Sequence, residues 1–267
     1  MAATPYHGKT GNLLIAAAPI LHLTGWSINV IGETAPSTAM GDTWEGALGG
    51  MYDFNGSADG LSKKALDTTG LIGDTGAFEL VPGSNAVPEQ PKITGTGILT
   101  GVTETVNYEA EGRLSYAFEG NDIDGLAWAA TAGTAPSASA DTFHGKTCKA
   151  LAEAVNFDQI REWTLALTCG TADCSHAHAT TWGRQRLPGF KGASATITCV
   201  YPGGAAPVIV PGLSTPALHL YRTATAADGH FTGIAFCQGY DLGTDKDGCP
   251  IITYKFLYSG AVTFAVV

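Results

Sequence analysis

A four-residue signature that occurs twice constrains this chain more than any other feature of its sequence. His7-Gly8-Lys9-Thr10 stands near the start, and His144-Gly145-Lys146-Thr147 stands just past the middle, 137 positions later. Trp26 is followed by Trp163 at the same spacing of 137. Two independent landmarks that share one offset indicate an internal repeat, which has to be recognised before any other fold assignment. The sequence therefore predicts two copies of one fold.

The expected boundaries follow from the repeat and from composition. With 267 residues the chain is long enough for two domains that each bury a core. We expect a first domain over 1–125 and a second over 144–267. The segment 126–143 between them is rich in Ala, Thr, Ser and Gly, which is typical of a linker.

Short alternating segments predict an all-β fold. Trp26-Ser27-Ile28-Asn29-Val30 and Trp163-Thr164-Leu165-Ala166-Leu167 both alternate apolar and polar residues, which is the period of a half-buried strand. Tyr116-Ala117-Phe118 aligns with Tyr254-Lys255-Phe256, and Phe54 aligns with Phe190. We expect two tandem antiparallel β-sandwich or barrel domains, with one or two short helices at Ala58 to Ile72 and Cys148 to Ile160.

The charge of the chain is acidic and unevenly placed. The net charge is −10, and all of it falls in residues 1–130, since residues 131–267 hold equal numbers of acidic and basic side chains. An acidic balance argues against ordinary DNA binding, which relies on Lys and Arg, and solubility alone is a sufficient reason for it. Charged residues make up only 14% of the chain, which suits a protein that buries surface against neighbours.

The chain has no segment that predicts export or membrane insertion. The apolar stretch from Leu13 to Leu23 is short and lacks a basic leader, so we do not expect a signal peptide. No run approaches the roughly 20 apolar residues of a membrane span. We therefore expect synthesis in a cytoplasm and no membrane partner.

All six cysteines lie in the second half of the chain, so the shared fold does not require them. An even count is compatible with disulfides, whose connectivity a sequence leaves open. A reducing cytoplasm opposes disulfides, whereas a particle that leaves the cell permits them. Besides Cys148, the candidates are Cys169, Cys174, Cys199, Cys237 and Cys249.

The residue types that could carry chemistry do not form a site. Cys169, Cys174, His176 and His178 have ligand-type side chains, but their spacing is not a standard zinc pattern, and a disulfide or free thiols is the preferred interpretation. Gly8-Lys9-Thr10 lacks the earlier glycine of a phosphate-binding loop. Carboxylates such as Glu104, Glu109 and Glu111 form no evident acid–base pair. We predict no metal, no cofactor and no catalytic residue.

Several stretches of the first half together resemble the phage tail tube protein family. They are Met1 to Thr10, Leu23-Thr24-Gly25-Trp26-Ser27, Met40-Gly41-Asp42-Thr43-Trp44, Gly56-Ser57-Ala58-Asp59-Gly60 and Tyr116-Ala117-Phe118-Glu119-Gly120. The resemblance covers nearly all of 1–120 and, more faintly, 144–267. It implies β-sandwiches that assemble as stacked sixfold rings around a lumen, with a long hairpin joining neighbours.

For a chain with two such domains, the resemblance implies a ring of three copies. The expected partners are other copies of this chain, other virion proteins, and DNA that passes through the lumen without specific binding. The location implied is a virion tail assembled in the host cytoplasm. The segments from Glu33 to Trp44 and from Thr168 to Trp182 are candidates for the joining hairpin. The assembly contacts expected from this are Glu33, Asp42, Trp44 and Trp182, although core packing is the alternative for the tryptophans.

The second half departs from this pattern, with its cysteines and a proline-rich window at 202–216. An alternative role is therefore a trimeric capsid decoration protein, in which related sandwiches occur. A secreted carbohydrate-binding sandwich is a third class, and it would require a signal peptide and exposed aromatic residues.

Overall fold

The computed structural model describes residues 12–15, 18–20, 23–37, 47–64, 66–81, 92–121, 126–129, 142–153, 155–175, 183–201, 207, 209–212, 214–245 and 247–266. Among these residues, two 3₁₀ helices, Gly145–Thr147 and Ala226–Asp228, accompany sixteen β-strands, and there is no α-helix. The prediction of an all-β, antiparallel fold is confirmed.

Eight strands come from each half of the chain. The first half contributes β1 (Asn12–Ile15), β2 (Ala18–Ile20), β3 (Leu23–Pro36), β4 (Ala47–Leu61), β5 (Thr75–Val81), β6 (Lys92–Asn107), β7 (Arg113–Gly120) and β8 (Ala127–Ala129). The second half contributes β9 (Lys149–Ala152), β10 (Val155–Asn156), β11 (Ile160–Asp173), β12 (Arg186–Val200), β13 (Ser214–Tyr221), β14 (His230–Thr244), β15 (Pro250–Tyr258) and β16 (Thr263–Ala265).

The strand pairings of the first half recur in the second. In the first half β3 pairs β4, β4 pairs β7, β7 pairs β6, β6 pairs β5 and β8, β5 pairs β1, and β1 pairs β2. Adding eight to each label gives the pairings of the second half. The remaining ladder, between β6 and β11, joins the halves into one hydrogen-bonded network.

The correspondence holds residue by residue. Trp26 lies opposite Ala58, Ala58 opposite Tyr116, and Tyr116 opposite Val102. In the second half the same row reads Trp163, Ile197, Tyr254 and Tyr240. Even the register shift in β6 between Leu99 and Gly101 recurs in β14 between Cys237 and Gly239.

This register corrects one alignment made from the sequence. Phe54 was matched to Phe190, but the row above places Ala193 at the position of Phe54, three residues further along β12. The β3–β4 and β11–β12 hairpins each contain a bulge that was not predicted from the sequence. Gly50-Met51 in β4 lies opposite the single residue Glu33, and Gly189-Phe190 in β12 lies opposite the single residue Gly170.

Both predicted helices are wrong. Ala58 to Leu61 continues β4, where burial alternates between Ala58, exposed Asp59 and Gly60, and pairing with β7 fixes the extended backbone. The segment after Cys148 forms the β9–β10 hairpin, with Ala150 and Ala152 buried on one face and Glu153 turning the chain at φ 55°. Alanine and leucine are good helix formers, but available strand partners override such local preference.

The buried side chains form one cluster to which both halves contribute. Its largest fully buried members include Trp163, Tyr116, Phe231 and Phe256. Trp163 donates its indole N–H to the carbonyl oxygen of Tyr221 at 3.0 Å, which satisfies the polar atom of a side chain with no exposed surface.

Candidate assembly interface

The ladder between β6 and β11 is the junction of the two halves, and we call it the internal junction. Seven residue pairs form it, from Glu162 opposite Asn107 to Thr168 opposite Gly101. On one face Trp163, Leu165 and Leu167 are buried, at 0%, 1% and 5% exposure. On the other face Asn107 Nδ2 donates to Glu162 Oε2 at 2.9 Å, and Thr164 lies opposite Thr105.

A buried ion pair lies on the apolar face of the internal junction. Glu104 of β6 is opposite Leu165 and has 1% exposure, and Arg222, just after β13, has none. Arg222 Nε donates to Glu104 Oε1 at 2.6 Å and its Nη2 donates to Oε2 at 2.8 Å. Ser62 Oγ also donates to Glu104 Oε1, at 2.7 Å.

The guanidinium makes further contacts through Nη2 and through its planar face. Its Nη2 donates to the carbonyl oxygen of Leu66 at 2.8 Å, and its carbon lies 5.0 Å from the ring centre of Phe231 and 4.6 Å from that of Phe264. Removing two charges from water costs about as much as their attraction returns, so the net stabilisation from such a pair is small. Glu104 comes from the first half and Arg222 from the second, so the pair ties these two surfaces together.

A second ionic group, at the outer end of the internal junction, contains the predicted contact Glu33. Arg184 forms ion pairs with Glu33 and Asp173. Arg186 donates Nη1 to Asp53 Oδ1 at 2.7 Å and to the carbonyl oxygen of Gly120 at 2.6 Å.

The charge balance fixes the ionisation of Asp53. Burial opposes its ionised form, but the hydrogen bonds and charge of Arg186 outweigh burial and hold the pKa of Asp53 below its usual value. The pKa of Arg186 is raised by the same carboxylate against the effect of burial. The acidic first half therefore meets arginines of the second half at two places, in the middle of the internal junction and beyond its outer end.

The other predicted contacts, Asp42, Trp44 and Trp182, lie outside the described residues, as do His176 and His178. Four features of this interface were not predicted from the sequence: Asp53, Arg184, Arg186 and the Glu104–Arg222 pair. One signal was present: Glu104 occupies an apolar position in the alternation of Val102-Thr103-Glu104-Thr105-Val106. A charge at such a position predicts a buried partner, although its identity requires the fold.

Within the described part of the chain, the strand segments equivalent to the internal junction lack a second partner strand. There, residues 239–244 of β14 correspond to 101–106 of β6 and pair with β15 alone. Among the described residues β3, the counterpart of β11, pairs with β4 alone. Side chains that are buried at the internal junction have exposed counterparts at these edges. Leu167 is 5% exposed and its counterpart Val30 is 54% exposed. Val102 is 1% exposed and its counterpart Tyr240 is 36% exposed.

The second copy of the opening signature forms a tight turn. His144 Nδ1 accepts a hydrogen bond from the backbone N–H of Lys146 at 3.1 Å and so caps the first 3₁₀ helix. A Cβ on Gly145 would lie 2.1 Å from the carbonyl oxygen of Asn107, so this position requires glycine. The first copy lies outside the described residues.

The cysteines all carry free thiols in this structure. Cys169, Cys199 and Cys237 are buried, Cys148 and Cys249 are half-buried, and Cys174 is exposed. Burial raises the pKa of Cys148 to about 11 and that of Cys199 to about 12, which makes both thiols unreactive at neutral pH. Oxidation in a particle stays a prediction.

The part of the chain that the structure describes holds no group of three or more His, Cys, Asp or Glu side chains arranged to bind a metal ion. It also contains no helix with the length and hydrophobicity needed to cross a bilayer.

Comparisons with known proteins give matches among solved structures alone. No protein-family model matches the sequence, and no curated protein matches it. A chain from the virion of a native gene transfer agent particle matches at 18% identity and a TM-score of 0.38, over 47% of this chain and 100% of that one. A chain from the tail of an empty gene transfer agent particle with C6 symmetry matches at 14% identity and a TM-score of 0.34, over 45% of this chain and 95% of that one.

Proposed function

We propose that this chain is a structural, non-enzymatic virion protein, a tail tube subunit of which three copies close each ring of the tube. The observation that carries the proposal is the recurrence of every strand pairing of the first half in the second, with the β6–β11 junction between them. A structure that joins its halves in this way leaves one β6-type edge and one β11-type edge at its ends. Those edges, on β14 and β3, fit each other on two copies of the chain.

The symmetry of this contact determines what assembly can result. It joins different surfaces of two copies, so it is a head-to-tail contact, which closes into a ring when the rotation between units permits. Closure also covers the exposed backbone of both edges, which would otherwise invite uncontrolled pairing. Three copies supply six similar units, in line with the sixfold rings implied by the resemblance of residues 1–120 to tail tube proteins.

The charge distribution supports passage of DNA rather than its capture. Arg184, Arg186 and Arg222 contact carboxylates, so they are poorly placed to bind phosphates. The excess negative charge belongs to residues 1–130. We expect the protein to show no salt-dependent DNA binding, and a gel shift at low salt that vanishes at high salt would contradict a passive lumen.

Electron microscopy of negatively stained protein or particles tests the proposal. Stacked rings or hollow filaments with the diameter of a phage tail are the expected result, and sedimentation velocity should show trimers of the 27.5-kDa chain as the smallest closed species. Monomers at all concentrations would overturn it. Trimers seated on capsid shells, without filaments, would favour the decoration role instead.

A further inference from the structure

We infer that the joint between neighbouring copies is an apolar version of the internal junction, made by β14 of one copy and β3 of the next in one defined register. This inference rests on the proposed ring and specifies its contact surface. The template is the internal junction, transferred through the residue rows that the two halves share. The expected pairs are Gly25 with Asp245, Trp26 with Thr244, Ser27 with Gly243, Ile28 with Leu242, Asn29 with Asp241, Val30 with Tyr240, and Ile31 with Gly239.

The charges of the internal junction have no counterparts at this joint. Glu104 corresponds to Leu242, Glu119 to Leu257, and Asp53 to Gly192. The arginine that follows β13 is replaced by Pro82 after β5. The loss of both members of the buried pair leaves no uncompensated charge, and a hydrophobic replacement of this kind holds surfaces together at least as well.

Three of the four apolar side chains that would meet at the joint are exposed, and the fourth, Ile28, is half-buried. Val30 and Leu242 are 54% and 57% exposed, although each lies on the face that the internal junction buries. In the expected register Ile28 lies opposite Leu242 and Val30 opposite Tyr240, so four apolar side chains form two facing pairs. Direct cross-strand neighbours of this kind stabilise a sheet through contact of their side chains.

Phe190 gives a separate indication of the same neighbour. It is 97% exposed, and its counterpart at the bulge of the other hairpin, Met51, is half-buried. Met51 precedes Tyr52, which forms a backbone bridge with Gly183 of the second half. The hairpin of the first half is thus flanked by the second half, and a following copy would flank Phe190 in the same way. A fully exposed phenylalanine is otherwise costly to keep in water.

The difference between the junctions also specifies the order of units around the ring. If β6 paired with β3 of another copy, Glu104 would face Ile28 without Arg222 beside it. An unpaired buried carboxylate disfavours that arrangement strongly. Leu242 is uncharged and needs no buried partner, so β14 can pair with β3. First and second halves therefore alternate.

A charge placed on the joint tests its chemistry. Leu242→Glu restores the carboxylate without its arginine, and we expect association between copies to weaken about a hundredfold or more, measured by sedimentation velocity. Val210→Glu is the matched control, since Val210 is 58% exposed and lies outside both edges. Circular dichroism should show both variants folded. Assembly of Leu242→Glu at the parent level would overturn the apolar joint.

Engineered cysteines test the register. Asn29→Cys combined with Asp241→Cys places two thiols directly opposite each other in different copies, and oxidation should give dimers and trimers on a non-reducing gel. Ser27→Cys combined with Asp241→Cys is the control, because diagonal positions about 7–8 Å apart exceed the reach of a disulfide. Oxidation of the parent chain under the same conditions measures any crosslinking by its own six cysteines.

The outcomes separate this inference from the proposed function. Rings that form while the Asn29–Asp241 pair stays uncrosslinked, or crosslinks no better than the control, would overturn the register and leave the ring standing. Absence of rings from the parent protein would overturn the proposed function, and the inference with it.

Discussion

The two halves of this chain build the same eight strands but give different chemistry to equivalent positions. Where the first half places Glu104, Glu119 and Asp53 against the second, the second half presents Leu242, Leu257 and Gly192 to solvent. A similar exchange occurs between the adjacent strands β5 and β6, where Glu79 and Lys92 form an ion pair at 2.8 Å. Their counterparts on β13 and β14 are His219 and His230.

This difference in residue type suits an ionic contact within one chain and an apolar contact between separate copies. An ionic contact between tethered halves is formed once, on folding, and the tether offsets much of the entropy of bringing its charges together. A contact between separate copies has no tether and depends more on apolar burial.

The buried pair gives the largest effect. Glu104→Leu leaves Arg222 charged and unpaired in the core, so we expect a loss of about 3–5 kcal/mol in the free energy of unfolding, measured in urea. The double variant Glu104→Leu with Arg222→Leu should lose less than the single one. A double variant that loses as much as the single one, or more, would contradict a penalty from an unpaired buried charge and would show that Arg222 stabilises the core through its contacts with Leu66, Phe231 and Phe264.

The two tryptophans come next. Trp163→Ala should cost about 3–5 kcal/mol of stability, because this side chain is fully buried. Trp26→Ala should cost clearly less in the separate chain, where Trp26 is half-buried beside a vacant edge. In assembled rings Trp26→Ala should cost more stability than it does in the separate chain. Equal losses for both variants in the unassembled protein would remove the distinction between the two junctions.

Arg186 at the outer ionic group should matter less. Arg186→Ala should cost about 1–3 kcal/mol at pH 7, whereas Lys255→Ala, which removes an exposed pair with Asp241, should cost under about 1 kcal/mol.

Acid should remove the stabilisation contributed by Arg186. The pKa of Asp53 is lowered, so its contribution is present above its ordinary value near 3.8 and is lost as the pH falls below it. A cost of Arg186→Ala that stays constant from pH 7 to pH 3 would contradict this.

The histidine pair should give the smallest effect. Burial lowers the pKa of both His219 and His230, and His219 lowers that of His230 further. The unfolded chain then binds more protons below about pH 6.5, so stability should fall as the pH drops from 7 to 5.

A variant that copies the first half provides the control for the histidine pair. His219→Glu with His230→Lys replaces the pair with the residues of β5 and β6, and chemical denaturation at a series of pH values should show a flatter profile between pH 7 and pH 5. An unchanged slope in this variant would assign the pH dependence to other groups.

Much of the fold was accessible from the sequence. Alternation around Trp26 and Trp163 identified the first long strand of each half, and the match of Tyr116 with Tyr254 agrees with the observed register. The two helices were wrong because Ala-rich and Leu-rich segments satisfy helical spacing and strand spacing over short lengths. Glu33, predicted as a contact between subunits, lies in the contact between the two halves of one chain, and its role in assembly stays a prediction. Its partner Arg184 is 151 positions away, too distant for any local pattern to suggest.

The repeated unit could be predicted from the sequence, because side-chain periodicity and the spacing of Trp26 and Trp163 can be read from the chain alone. The sequence also determined where charge and cysteine accumulate. The tertiary structure alone decided which edges are covered and which are vacant, since hydrogen bonding between strands joins residues that are far apart in the chain. Glu104 and Leu242 occupy equivalent strand positions. Only the tertiary structure shows that Glu104 has a buried partner in its own chain and that Leu242 faces solvent.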